Sequence, residues 1–339
     1  MRRLEIMCLT DACRYNWLVS CMCMMFACAH DVVPAIDAGD GDSDAAVFDA
    51  GAQPPLAPKT PDPGSAQPSS ATPLPPPADF VQTEIGGYKL GAALEPGATD
   101  LQLNIEHTDP ARCSTMIAIV RDFRGARESN PHPDFEVFDG KKPTLGLVGA
   151  ALGSDRKPVY TSQCEAMFDK RVCPDGQMTS SEAAFAAWYR SMAGVNSAFL
   201  AYLAFEPNGG VYTFESQSFF PLDGQGFGNA GGKKKHNFGF TTELHSTFVY
   251  RGGEVFAFTG DDDLWVFING RLAIDLGGLH PPASAEIELD AARDSLGIEP
   301  GREYGLDLFH AERHSASSNF RVDTNLEFSQ CGRVTVELL

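Results

Sequence analysis

The fold of this chain is decided by residues 259–278, which read TGDDDLWVFINGRLAIDLGG. Two apolar runs, residues 264–268 and 272–276, flank the pair Asn269 and Gly270. An Asn-Gly pair supplies the positive φ angles of a type I′ turn, and between two apolar runs it is the strongest short-range signal of a β-hairpin. The stretch therefore predicts two antiparallel strands joined by a two-residue turn.

Three aspartates, Asp261, Asp262 and Asp263, stand side by side directly before the first apolar run. Like charges repel, and a low-dielectric surrounding strengthens that repulsion. We therefore expect either a positive charge close to the carboxylates or a loop that is fully exposed to water. Calcium is one such charge, since it takes about six to eight oxygen ligands, mostly carboxylate, carbonyl and water. In the alternative, the aspartates only cap a turn in water, and Gly260 helps the chain to bend.

Further short alternating runs recur along the chain, with Gly, Asn, Asp and Pro between them. They are residues 115–120, 211–215, 247–250, 254–258, 285–289, 303–310, 320–328 and 333–338. Many short strands separated by turn signals are typical of an antiparallel sandwich or barrel. We therefore predict an all-β fold, an antiparallel β-sandwich with one or two short helices.

One helix is predicted after residue 179. Residues 179–182 read TSSE, a capping box. Phe185, Trp188, Tyr189 and Met192 then follow at helical spacing, and Gly194 is placed to end the helix. The apolar stripe predicts packing against the sheet rather than a binding surface.

The N-terminal part divides into two segments before the predicted domain at 80–339. Residues 1–28 resemble a signal peptide, because Arg14 precedes an apolar run at 17–27 that is too short to span a bilayer. The run ends at Cys28 in a lipobox-like sequence, and Cys21 is an alternative lipidation site. Residues 29–79 are rich first in Asp and then in Pro, with ten prolines in 51–79, which predicts a disordered linker. We expect an exported protein of the cell surface or outer membrane, or else a secreted one, that meets the membrane only through a lipid anchor.

Four of the nine cysteines lie in the predicted domain: Cys113, Cys164, Cys173 and Cys331. An even number in an exported chain favours disulfides. Cys164 and Cys173 are close in sequence, with a turn signal just after them, which favours one bridge between them and a second between Cys113 and Cys331. Sequence alone leaves the pairing open.

Net charge and motif content argue against two classes of function, nucleic-acid binding and catalysis. With 26 Lys and Arg against 45 Asp and Glu, the net charge is −19, and nucleic acid is not an expected partner. Catalysis has little support, since neither a GxSxG elbow nor a phosphate-binding loop is present.

The predicted domain resembles the fibro-slime domain, a relative of the PA14 β-sandwich. The resemblance covers about residues 115–328, and its most specific part is FTGDDDLWVFINGRLAIDLGGLH at 258–280, followed by LFHAERHSASSNFRVDT at 308–324. It implies carbohydrate recognition. In adhesin members, two adjacent aspartates hold a calcium ion that sugar hydroxyls also touch, and this pair falls on Asp261 and Asp262. Glycine often follows the pair where this chain has Asp263, so it stays open which two of the three aspartates bind the ion.

Other candidate residues follow from the same resemblance and from the chemistry of their side chains. Further oxygens are expected from the loop at 311–319, where Asn319 either offers an amide oxygen or forms an Asx turn. Asn269 matches an acidic position of the PA14 turn, although the hairpin alone explains it. Phe227, between glycines, is the candidate for stacking on sugar, whereas Trp265 is expected in the core. As an alternative to calcium, His280, His310 and His314 with Glu312 have the chemistry of a transition-metal site.

The sequence therefore predicts a surface-anchored, calcium-dependent module that binds an extracellular glycan or polysaccharide for adhesion or matrix attachment. The alternative is a structural or protein-binding matrix module without affinity for sugar. A glycan-processing enzyme is the third and least supported hypothesis.

Overall fold

A computed structural model of the chain describes residues 79–94, 114–161, 176–229, 235–314 and 317–330. The predicted leader, nearly all of the linker and the strand predicted at 333–338 lie outside these ranges. So do all the cysteines, including Cys21, Cys28 and both predicted disulfide pairs. Within the described ranges, no helix has the length and apolar character needed to cross a membrane.

The domain is built from two antiparallel sheets, with strands numbered here in chain order. In the large sheet the order is β1 (Val81–Gln82), β2 (Gly87–Leu94), β6 (Asn196–Ala204), β3 (Thr115–Phe123), β9 (Phe240–Tyr250), β14 (Arg302–Glu312), β11 (Asp263–Ile268), β12 (Arg271–Leu276), β4 (Val148–Leu152) and β5 (Pro158–Tyr160), with β16 (Phe328–Gln330) paired to β9. The small sheet has the order β13 (Ala283–Glu288), β10 (Val255–Gly260), β15 (Phe320–Thr324), β8 (Val211–Ser216) and β7 (Glu206–Asn208). The predicted all-β antiparallel class is confirmed.

The main core lies between the two sheets. Phe214, Phe258 and Phe320 of the small sheet pack in one cluster with Leu264 and Leu308 of the large sheet. Successive side chains of a strand point to opposite faces, so Leu264, Val266 and Ile268 of β11 share this side. The arrangement is the predicted sandwich.

A third layer covers the opposite face of the large sheet, and we call residues 124–161 and 176–195 the outer layer. Its Phe185 and Trp188 form a second cluster with Trp265, Phe267 and Phe309 of the sheet. Strand β11 is therefore covered on both faces, which explains why its sequence is continuously apolar. Trp265 is fully buried, as the apolar strand predicted.

A buried network of charges also joins the outer layer to the large sheet. The carboxylate of Glu243 accepts hydrogen bonds from Lys157 of the outer layer and from Arg121 of β3, and it contacts His245. Burial alone would raise the pKa of Glu243, but the charges of Lys157 and Arg121 hold it well below its usual range. The carboxylate is therefore ionised and satisfied inside the protein.

The predicted hairpin is confirmed. Strands β11 and β12 pair with Ile268 opposite Arg271, and the two turn residues have positive φ angles of 53° at Asn269 and 68° at Gly270. These are the signs of φ that a type I′ turn requires.

The predicted long helix is wrong in its length and its cap. Helix α1 spans only Glu182–Ala186, and its N-cap is Ser181, whose side chain accepts a hydrogen bond from Ala184 N. After Ala186, side chains of the large sheet donate hydrogen bonds to backbone carbonyls that would be bonded within the chain if the helix continued. Asn196 Nδ2 donates to the carbonyls of Ala187 and Arg190, and Thr241 Oγ1 donates to that of Trp188. The aromatic residues still pack against the sheet, as expected, but from irregular turns.

Helix α2 spans Leu289–Leu296 and was not located by the sequence patterns. The strand predicted at 285–289 ends at Glu288, and the chain then turns directly into this helix, which stops at Gly297 with a φ of 65°. Strands β1, β2 and β4 to β7 were also not predicted.

Candidate functional site

The acidic triplet lies at the start of β11, and all three side chains are buried. Asp261, Asp262 and Asp263 are 5%, 6% and 0% exposed. The interpretation of a turn that is simply capped in water is therefore wrong for this loop. Burial leaves the charges in need of compensation, and each aspartate obtains it differently.

Asp263 is neutralised by an arginine. Arg313 Nε donates to Asp263 Oδ2 at 2.6 Å, while Gly278 N donates to Asp263 Oδ1 at 2.6 Å. The guanidinium also donates to the carbonyls of Asp134 and Met178 and lies 4.5 Å from the ring centre of Trp188, all in the outer layer. This is the positive charge that the triplet predicted, but Arg313 itself was not recognised from the sequence.

Asp262 is held by backbone groups in a strained conformation. Its φ is 59°, a left-handed value that costs a non-glycine residue free energy. Its Oδ2 accepts hydrogen bonds from the backbone N–H groups of Arg313 at 2.7 Å and His314 at 3.0 Å. Burial raises the pKa of Asp262 to about 6; the charge of Arg313 opposes the rise and that of Asp263 adds to it.

Asp261 is bound by the loop that the sequence predicted to lie opposite. Its carboxylate accepts hydrogen bonds from Ser317 Oγ at 2.6 Å, from Asn319 N at 2.5 Å and from Asn319 Nδ2 at 2.8 Å. Asp261 and Asn319 therefore do lie together. In this arrangement Asn319 presents its amide N–H, not its oxygen, to the carboxylate.

A fourth carboxyl group, that of Glu312, lies beside the triplet at the end of β14. It is 1% exposed; His314 N donates to its Oε1 at 3.4 Å, and among the described residues no donor lies at normal hydrogen-bond distance from its Oε2. Burial raises the pKa of Glu312 well above its usual range, and the charges of Asp262 and Asp261 raise it further. The sequence singled out Glu312 only as part of a histidine site.

A cavity of about 280 Å³ opens onto Asp261 and Asp262. The other lining residues are Asp139, Gly140, Leu279, His280, Pro281, Pro282, His314 and Ser317. Among the described residues of its wall there is neither lysine nor arginine, and His314 Nε2 lies 3.1 Å from Asp139 Oδ1. Asp263 and Glu312 are not part of its wall. The described wall thus combines carboxylates with the apolar residues Leu279, Pro281 and Pro282.

The histidines of the transition-metal alternative are not brought together. His310 lies between the sheets among Phe219, Phe258 and Phe320, and burial lowers its pKa to about 4. Both ring nitrogens of His280 contact backbone carbonyls, those of Leu276 and Pro281. Across the described ranges, no three acidic, histidine or cysteine side chains already surround one point as a metal site does.

The two residues proposed for ligand contact lie away from the cavity wall. Phe227 is half-buried, with the guanidinium of Arg124 3.5 Å from its ring centre, and its N–H donates to Asp122 at the end of β3. Asn269 follows the far end of β11 from Asp263, and a strand rises about 3.4 Å per residue, so the two residues lie about 20 Å apart. Its amide donates to the carbonyls of Leu296 and Gly297, which is a structural role.

Sequence comparison finds relatives of this chain in Dictyostelium discoideum. Protein psiC is 36% identical over 234 residues, which cover 64% of this chain and 43% of psiC. Protein psiR is 36% identical over 221 residues, which cover 60% of this chain and 20% of psiR. These proteins are homologues of this chain, and the matched region spans less than half the length of either. No family model matches.

Comparison with solved structures returns two PA14 domains among its matches, one of the antifreeze protein MpAFP and one described as the sugar-binding domain of an RTX adhesin. They are 14% and 10% identical and cover 27% and 32% of this chain, with 45% and 60% of their own chains aligned. The TM-score is 0.20 for both, which is too low to carry an argument about this chain.

Proposed function

We propose that this domain binds an extracellular carbohydrate in the acidic cavity, with a calcium ion held by Asp261 and Asp262 between protein and sugar. The observation that carries the proposal is the cavity itself: its described lining residues include two buried adjacent carboxylates and neither lysine nor arginine. A partner that supplies positive charge or many hydroxyl donors suits such a wall, and a hydrated or sugar-bound divalent cation supplies both.

The balance of charge supports a cation. Asp261, Asp262, Asp263 and Glu312 are four buried carboxyl groups where the start of β11 adjoins the end of β14, and the guanidinium of Arg313 is directed at Asp263. Buried charges are normally paired or bound to a metal. Calcium suits the remaining oxygens because it accepts irregular sets of carboxylate, carbonyl and water ligands. The ion would neutralise the wall and offer open coordination positions to sugar hydroxyls.

The size of the cavity and its apolar wall fit a sugar ring. A volume of about 280 Å³ lies just below the range of about 300–1,000 Å³ that is usual for small-molecule sites, so it suits one or two sugar units rather than a long polymer. Leu279, Pro281 and Pro282 provide a surface for the apolar face of a ring. The described residues of this wall include no Phe, Tyr or Trp, so stacking on Phe227 is not part of the proposal.

A glycan array with the purified full-length chain tests this function. We expect binding in millimolar CaCl₂ that is lost in EGTA and in Asp262→Asn. The matched control is Asp275→Asn, because Asp275 is another carboxylate near β11 whose oxygens bond to Trp265 Nε1, Gly146 N and Gly277 N and lie outside the cavity wall. Binding that is unchanged in EGTA, or lost equally in both variants, contradicts the proposal.

A second candidate is a structural module of an extracellular matrix that uses the acidic loop only for stability. This candidate is favoured by the hydrogen bonds that the Asp261 carboxylate already accepts within the protein, one from Ser317 and two from Asn319. In that case calcium or EGTA changes thermal stability, but no glycan is retained on the array.

We also propose that the chain is exported and tethered by a lipid on Cys28, or on Cys21, with residues 29–79 as a spacer. Mass spectrometry of the protein purified from membranes tests this: a diacylglycerol-modified N-terminal cysteine is expected. An unmodified chain in the soluble fraction contradicts the anchor.

A further inference from the structure

We propose that Asn208 is a site of spontaneous chemical modification, at which the side-chain amide is replaced by the carboxyl group of aspartate or isoaspartate. The chain contains two Asn-Gly pairs, one at Asn208 and Gly209 and the other at Asn269 and Gly270. Both lie at turns between paired antiparallel strands, the first between β7 and β8 and the second between β11 and β12. The fold leaves the first pair able to react and protects the second.

The reaction needs only these two residues and water. The backbone nitrogen of Gly209 loses its proton to a base in the solvent and attacks Cγ of Asn208. The Cγ–Nδ2 bond breaks, and Nδ2 leaves as ammonia with a proton taken from water. Water then opens the cyclic imide at either carbonyl, which gives aspartate or isoaspartate. Glycine favours the attack because it has no Cβ beside the attacking nitrogen.

The turn at Asn208 is open to solvent. Asn208, the last residue of β7, pairs with Val211 of β8, and Gly209 and Gly210 between them have positive φ angles of 60° and 87°. Asn208 and both glycines are exposed. A Cβ added at either glycine would meet nothing within 4 Å, apart from its own chain neighbours. The described residues therefore leave room for water and for the cyclic imide.

The side-chain amide of Asn208 is not held in place. Among the described residues it has no hydrogen-bond partner. Gly209 N likewise donates to no backbone carbonyl within the described ranges. The ring closes when Cγ comes against this nitrogen, so rotation of one side chain brings the reacting atoms together.

The amide of Asn269 is fixed by two hydrogen bonds. Its Nδ2 donates to the carbonyl of Leu296 at 2.9 Å and to that of Gly297 at 3.2 Å, at the end of α2. The backbone N–H of Asn269 also donates to the carbonyl of Gly305 at 2.9 Å. The amide must give up both of its bonds before Cγ can turn towards Gly270 N. Two such bonds correspond to a rate difference of about tenfold or more.

Isoaspartate at position 208 would disturb the edge of the small sheet. Its backbone runs through the former side-chain carbon and is one methylene longer. Strand β7 is only three residues long, and Glu206 and Pro207 pair with Thr213 and Tyr212 of β8. A longer backbone at the turn shifts these pairs out of register. Modification is therefore expected to loosen β7 and to expose the edge of β8.

Peptide mass spectrometry of the full-length chain, incubated at mildly alkaline pH, tests the proposal. Each modified Asn-Gly pair gains one mass unit. In the folded chain we expect modification at Asn208 to be about tenfold or more faster than at Asn269. In urea the two pairs should react at similar rates, because the hydrogen bonds of Asn269 are then lost. Asn208→Gln is the matched control: it keeps the amide but would need a larger ring, so its peptide should keep its mass.

The comparison of folded and unfolded chains decides between the outcomes. Modification at Asn269 that is as fast as at Asn208 in the folded chain overturns the proposal. So does a folded chain that stays unmodified at Asn208 while both pairs react in urea, since the turn would then protect the first pair as well. A chain that reacts at neither pair under either condition overturns it too.

Discussion

Arg313 Nε lies 2.6 Å from Asp263 Oδ2, and both side chains are completely buried. The contact joins the end of β14 to the start of β11, and Arg313 also binds backbone carbonyls of the outer layer. The large sheet and the outer layer therefore meet at one ion pair directly behind the proposed site. The pair holds Asp263 on one face of the sheet, while Asp261 and Asp262 face the cavity.

Arg313→Met is expected to destabilise the domain by about 3–5 kcal/mol, because it leaves the Asp263 carboxylate buried without its partner. The measurement is the free energy of unfolding in urea at neutral pH. Adding Asp263→Asn to Arg313→Met should recover part of the loss, since the uncompensated charge is then removed.

Arg302→Met provides the control for this prediction. Arg302 pairs with Glu299 at 3.2 Å, but both side chains are about 70% exposed. Exposed pairs contribute about 0–1 kcal/mol. Equal losses in Arg302→Met and Arg313→Met would contradict the role given to the buried pair.

The pH dependence of stability is expected to change in Asp122→Asn. Asp122 is buried and accepts hydrogen bonds from Asn237 Nδ2 and from Phe227 N, and burial raises its pKa to about 7. A carboxyl group whose pKa is raised on folding contributes stability that is fully present below its unfolded pKa, near 3.8, and is lost as the pH rises through 7.

Urea unfolding at pH 5 and pH 8 checks this sign. Between these values wild type should lose about 1–3 kcal/mol relative to Asp122→Asn. The exposed Asp294 serves as the control position, and Asp294→Asn should follow the wild-type profile. A wild-type chain that gains stability over Asp122→Asn between pH 5 and 8 would show that the burial argument has the wrong sign.

Gly270→Ala is expected to cost about 1–2 kcal/mol, because Gly270 has a φ of 68° in the hairpin turn. Glycan binding should be unchanged, since the turn lies at the far end of β11 from the cavity. Gly149→Ala is the matched control: the added methyl group meets its nearest atoms at 3.5 Å, and its φ is not in the left-handed region. A loss of glycan binding in folded Gly270→Ala would contradict the proposed position of the site.

The sequence predicted those parts of the fold that depend on local patterns. The β11–β12 hairpin followed from Asn269 and Gly270, whose positive φ angles are a local requirement. The predicted long helix does not form because side chains outside it bind its backbone. Asn196 donates to the carbonyl of Ala187, and Thr241, 53 residues away, donates to that of Trp188. Contacts of this kind leave no periodic signal.

In the site, too, the sequence predicted local features but not contacts between residues that are distant along the chain. Repulsion within the triplet predicted either a nearby positive charge or a fully wet loop, and the structure has the positive charge, Arg313. The loop at Asn319 lies beside Asp261, as predicted. Arg313 lies 50 residues from Asp263, so no local spacing connected them. The hydrogen bonds that distinguish Asp263 from its neighbours depend on this distant arginine and on Gly278.

The central claim is that a divalent cation neutralises the buried carboxylates at the end of the sandwich, and thermal melting in CaCl₂ against EGTA tests it most directly. A ligand at about 100 times its Kd adds about 2.7 kcal/mol, and a domain of this size gains about 2–4 °C per kcal/mol. We predict that calcium raises the wild-type melting temperature by about 5–10 °C and leaves Asp261→Asn/Asp262→Asn unchanged. A wild-type chain that melts at the same temperature in CaCl₂ and in EGTA would contradict the claim.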